Sequence, residues 1–119
     1  MMTSAECLHK IQKTDVDNKV AKTLAKVYGP DIPTIVEQIV TLFKSGGFVN
    51  DYRFLSLDEI EYAEDDLHVD FKKRRFVPLI DCGDNDFIVY DYYNEKWMMF
   101  NIVEKVSFKK KQHLADILV

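Results

Sequence analysis

Residues 76–103 read FVPLIDCGDNDFIVYDYYNEKWMMFNIV, two aromatic-rich apolar runs cut by short polar clusters. Phe76–Ile80 is expected to be a strand, and Pro78 inside it points to a sheet edge or a bulge, since proline has no N–H to donate. Asp81–Asp86 is a turn cluster, because Asp, Asn and Gly tolerate left-handed backbone angles. Phe87–Asp91 is rich in β-branched and aromatic side chains and reads as the next strand. Tyr92–Glu95 makes the following connection, and Lys96–Val103 runs back. Three strands joined by such short turns form an antiparallel meander, because a parallel crossover needs about a dozen residues.

Working outward, the flanks read as helices. On the N-terminal side, Thr3-Ser4-Ala5-Glu6 matches a capping box, with Leu8 and Ile11 behind it. Residues 1–14 are expected to attach loosely as one helical turn. Asp15 or Asp17 opens a longer helix with Val16, Val20, Leu24 and Val27 at helical spacing, and Tyr28-Gly29-Pro30 ends it. Pro33 opens another helix, whose Ile35, Val36, Ile39, Val40, Leu42 and Phe43 span so broad an arc that it should be the most buried. Gly46-Gly47 stops it. Tyr52–Leu55 reads as a short strand. Ser56-Leu57-Asp58-Glu59 is a second capping box, with Leu57, Ile60, Ala63 and Leu67 on one helical face. Residues 68–71 are expected to be extended. After the meander, Ser107 reads as the cap of a last helix carrying Phe108, Lys111, Leu114, Ala115 and Leu118. Strands clustered between helices give one α+β domain over residues 1–119, a mainly antiparallel sheet with helices packed around it. Ile35, Ile39, Val40, Phe43, Leu79, Ile88 and Leu114 are expected to share its core.

Composition narrows the function. Sixteen basic against twenty acidic residues leave a net charge of −4, which argues against a direct nucleic-acid binder. The charge is uneven: residues 1–50 hold six basic and five acidic groups, residues 51–119 ten and fifteen. No apolar stretch approaches the roughly 18 residues of a membrane span, and no secretion signal is visible, so a cytoplasmic protein is expected. Cys7 and Cys82 are then free thiols.

Several constellations have both an ordinary structural role and a functional one. Asp58, Glu59, Glu61, Glu64, Asp65, Asp66 and Asp70 follow one another with no lysine or arginine between them. They form either a solvated helix face or a negative surface that steers a basic partner. Glu61 and Asp65, four apart, would share a helical face. Asp81, Asp84 and Asp86 fail the calcium-loop pattern, because Gly83 and Asn85 fall at the alternate positions. Lys72–Arg75 and Lys109–Lys111 are basic runs; Lys72–Arg75 is expected to pair with the acidic helix before it rather than to contact phosphate. His9, His68 and His113 lack zinc-ligand spacing, and Cys82 with His68 has no third group to complete a nucleophile. Strand side chains alternate, so the aromatics of the meander should not all be core. Tyr92 and Trp97, with Asp84 and Asp86 in the neighbouring turn, join the acidic residues as candidate partner contacts.

The order of these motifs resembles the SUKH superfamily, which includes bacterial toxin-immunity proteins and a fungal cell-wall regulator. The resemblance rests on Tyr28-Gly29 before Pro33, Gly46-Gly47, the stretch Phe54–Ile60, Phe76-Val77-Pro78-Leu79 with Gly83-Asp84 and Phe87–Asp91, and Val106-Ser107-Phe108 before Leu114 and Leu118. It implies an α+β fold without cofactor and, for many members, neutralisation of a toxin domain, often a nuclease, by direct binding; the residue patterns themselves offer no metal or catalytic constellation. An intracellular scaffold or regulatory module without a toxin is the alternative, and the oligomeric state stays open.

Overall fold

The computed structural model describes residues 2–118. Its centre is an antiparallel sheet of six strands in sequential order: β1 (Gly47–Val49), β2 (Tyr52–Phe54), β3 (Phe76–Asp81), β4 (Asp86–Asp91), β5 (Lys96–Asn101) and β6 (Val106–Lys111). The expected meander is β3–β4–β5. Pro78 sits at a bulge and not at an edge: β3 lies between β2 and β4, and its register against β4 slips between Pro78 and Ile80. The Leu79 carbonyl there takes the Leu55 N–H at 2.9 Å, so the bulge leaves no acceptor idle.

β6 corrects the expected last helix. Phe108, Lys111 and Leu114 do fall at helical spacing, yet Val106–Lys111 pairs along β5, and only Leu114–Ile117 (α7) is helical. The cause is the turn before it. Asn101 Oδ1 accepts the Val103 and Glu104 N–H groups at 3.1 and 2.9 Å, and Lys105 takes a φ of 58°. Ten residues earlier Asp91 Oδ1 accepts from Tyr93 and Asn94, both at 3.0 Å, and Glu95 takes a φ of 56°. The same side-chain device turns the chain twice, and hairpin pairing then overrides local helical spacing.

The remaining helices are α1 (Ser4–Gln12), α2 (Asn18–Tyr28), α3 (Thr34–Leu42), α4 (Leu57–Glu61), α5 (Ala63–Leu67) and α6 (Phe71–Arg74). Thr3, Asp17 and Ser56 cap α1, α2 and α4 with their side chains, and Ser56 with Glu59 closes a full capping box. α1 is not a loosely attached turn, because Cys7 and Ile11 are fully buried against the core. Residues 68–71 are not extended throughout: His68 turns left-handed and Phe71 begins α6.

Register assigns the two faces of the sheet. Phe87, Phe100 and Ser107 share one; Ile88, Met99 and Phe108 share the other. Phe71 of α6 meets Phe100 edge-on at 6.3 Å, and Phe87 borders Glu59 and Leu67, so α4–α6 cover the first face. Tyr90 and Trp97 border Leu8, Ile35 and Leu114, so α1, α3 and α7 cover the second. Ile39, Val40, Phe43, Leu79, Ile88 and Leu114 are buried as expected, while Ile35 is half-buried.

Candidate interaction surface

Covering both faces changes the fate of the meander aromatics. Phe87, Tyr90, Trp97 and Phe100 are all core, while Tyr93 stays exposed, in line with the expectation that not every meander ring is core. Trp97 is 4% exposed, with its ring 4.7 Å from that of Tyr90, so it offers no side chain to a partner. Tyr92 is half-buried, its hydroxyl donating to the Lys72 carbonyl at 3.4 Å. The exposed rings among the described residues are Phe48, Tyr62, Tyr93 and Phe108.

Tyr62 marks the second departure. The expected single acidic helix is broken there into α4 and α5, so Glu61 and Asp65 stand on opposite sides of a break rather than on one continuous turn. The Tyr28 hydroxyl donates to the Ile60 carbonyl at 2.7 Å, where a side chain has entered the helical ladder. Tyr62 itself is 55% exposed among the carboxylates.

The acidic residues divide into two groups. Glu59 is committed internally. Its carboxylate takes the Ser56 N–H at 3.0 Å and the Arg53 guanidinium at 2.8 and 3.0 Å, and Arg53 also reaches Asp81 at 3.1 Å. Burial pushes Glu59 upward, but the Ser56 and Arg53 bonds outweigh it and hold the carboxyl below its usual range. Asp86 is tied to Asn101 Nδ2 at 2.9 Å, and Asp81 also accepts the Gly83 N–H, so these turn carboxylates serve the fold. Asp58, Asp65, Asp66 and Asp84 are exposed, Glu61 and Glu64 half-exposed. No described cation forms an ion pair with any of those six.

The basic run Lys72–Arg75 pairs with the acidic run only through Arg74 and Asp70 and leaves those six unanswered. Arg74 pairs with Asp70 at 2.9 Å, which holds the Asp70 carboxyl below its usual range; from Lys72 only the backbone N–H reaches Glu64. Lys73, Arg74 and Arg75 instead line a groove of about 470 Å³ with Lys110 of the second basic run. Sequence reasoning missed this groove, because two runs 35 residues apart meet only through the register of β6. Among the described residues no three His, Cys, Asp or Glu side chains gather as a metal site. Cys7 and Cys82 are free thiols. No described helix is long and apolar enough to cross a membrane. Comparison with models of known families, with curated proteins and with solved structures finds no match to this chain.

Proposed function

We propose that this chain is a non-enzymatic binding protein of the SUKH type, a cytoplasmic immunity protein that neutralises a bacterial toxin domain by covering it. The observation that carries the reading is the unpaired state of the acidic surface. Asp58, Glu61, Glu64, Asp65, Asp66 and Asp84 keep their charge facing outward, and no described cation answers them. A surface of one sign accelerates encounter with a partner of the other, and a nuclease domain is basic where it holds nucleic acid. Tyr62 stands among those carboxylates as an exposed aromatic, the residue type that supplies lasting affinity once water is excluded.

The two contributions separate kinetically. The partner is recovered from the source cells by pull-down, its activity is assayed with and without this protein, and binding rates are measured at low and high salt. The combined variant Glu61→Gln, Glu64→Gln and Asp65→Asn slows association, and the deficit shrinks as salt screens charge beyond roughly 8–10 Å. Tyr62→Ala speeds dissociation and leaves association almost unchanged. Unaltered rates in the acidic variant refute the electrostatic role. A recovered partner whose activity is indifferent to this protein supports the scaffold reading instead.

A further inference from the structure

The groove between α6 and β6 carries the opposite charge from the surface just described. Its floor is Met98 of β5, its walls are Lys73, Arg74 and Arg75 on one side and Ser107 and Lys110 on the other, and Tyr93 and Asn94 close one end. Lys73, Arg75 and Lys110 are exposed, and no described acidic side chain pairs with them. Asp91 also borders the groove, but it is 5% exposed and turned into its own hairpin, taking the Tyr93 and Asn94 N–H groups and Asn94 Nδ2 at 2.8 Å. The rim therefore gathers three unpaired cations, Lys73, Arg75 and Lys110, beside Arg74, which Asp70 answers, and one inward-facing carboxylate. Holding like charges together in one rim is unfavourable, and a bound anion relieves that repulsion.

We propose that this groove binds an extended acidic segment of a partner protein, its Asp or Glu side chains reaching Lys73, Arg75 and Lys110 and its apolar side chains lying on Tyr93. Two observations favour polypeptide over nucleic acid. The groove has an exposed aromatic component: Tyr93 is 69% exposed, with the Arg75 guanidinium 5.1 Å from its ring centre. The chain as a whole is acidic, which repels a polyphosphate running beyond the groove. A guanidinium already stacked on an aromatic ring is pre-organised for a carboxylate. This site is independent of the toxin reading, since it occupies different residues and selects the opposite charge.

The test uses the full chain, labelled with 15N, and two blocked decapeptides, one alternating Glu and Val, the other alternating Lys and Val. The acidic peptide, titrated to about 2 mM, is expected to shift the amide resonances of Arg75, Tyr93, Asn94, Ser107 and Lys110, and to lose its effect in high salt. The combined variant Lys73→Gln, Arg75→Gln and Lys110→Gln, checked by an unchanged spectrum elsewhere, is expected to weaken that binding about tenfold or more. The Lys peptide should leave the groove alone; any shifts it produces at residues 58–66 report on the acidic surface and not on this proposal. Absence of groove shifts with the acidic peptide, equal binding by the variant, or tighter binding of an oligonucleotide at the same amides each overturns it. So does a concentration-dependent dimer abolished by the same variant, which would give the groove to a second copy.

Discussion

Replacing Tyr28 by Phe isolates the bond that holds the break between α4 and α5. Tyr28 is 3% exposed, and its hydroxyl reaches the Ile60 carbonyl at 2.7 Å. The substitution keeps the ring and opens no large cavity, so the loss is the hydrogen bond alone. A net bond of this kind contributes about 1 kcal/mol, with a further penalty when the abandoned group is buried. The Ile60 carbonyl retains a Tyr62 N–H, but shares it with the Asp58 carbonyl. The combined cost should be about 1.5 kcal/mol, or roughly 6 °C in Tm for a chain of this size. Tyr90→Phe is the control. Tyr90 is also buried, at 7% exposed, but its hydroxyl has no described hydrogen-bond partner, so its removal should cost under about 0.5 kcal/mol. Urea unfolding and calorimetry of both variants measure the difference. A Tyr28→Phe midpoint matching the parent, or a Tyr90→Phe loss of equal size, would refute the argument.

Burial and charge set three further outcomes. Leu79→Ala should cost about 2–5 kcal/mol, because Leu79 is 1% exposed at the bulge; an unchanged unfolding midpoint would remove it from the core. The Asp17, Glu59 and Asp70 carboxyls lie below their ordinary range, Asp17 through Lys44 and Asp70 through Arg74, while Glu59 does so despite burial. A depressed folded value means stability present above the unfolded carboxylate range, about pH 4, and lost as pH falls through the folded values. Urea midpoints should hold steady near neutrality and then drop on acidification, with a shallower drop in Arg53→Met. Burial pushes the Cys82 thiol up to about 11 and raises Cys7 as well. At pH 8 a disulfide reagent should therefore modify folded Cys82 about a hundredfold more slowly than a free thiol, and reach fully buried Cys7 only after unfolding.

Local chemistry made the centre of this fold legible. The capping residues Thr3 and Ser56, the stop at Gly29 and the bulge at Pro78 each act within a few residues, so the sequence displays them directly. Failures came where distant partners decide. Phe108 and Lys111 keep a helical spacing that pairing with β5 overrules, although Asn101 repeats the turn made by Asp91 and could have disclosed the extra hairpin. Trp97 is a candidate contact only if alternation leaves one wet face, whereas helices from both halves of the chain cover the two sides. The acidic residues were visible as a run, but their division was not: Glu59 is bound to Arg53, and Tyr28, over 30 residues away, sets the break that separates Glu61 from Asp65. The basic groove is the extreme case, since neither of its runs announces the other.

The order of the strands bears on how the chain reaches this state during synthesis. α1, α2 and α3 leave the ribosome before the strands, with Ile11, Val20, Leu24, Val36 and Ile39 waiting for a sheet that does not yet exist. Each later strand then pairs with the one made just before it, and apart from the β2–β3 step, which spans α4–α6, each closes only a short loop at little entropy cost. Closure falls to α7, because its Leu114 and Ile117 share the core with Cys7 and Ile11 of α1. Assembly that begins by zipping neighbours ends by joining α7 to α1. Loss of α7 would therefore uncover α1 as well as the β5–β6 side of the sheet.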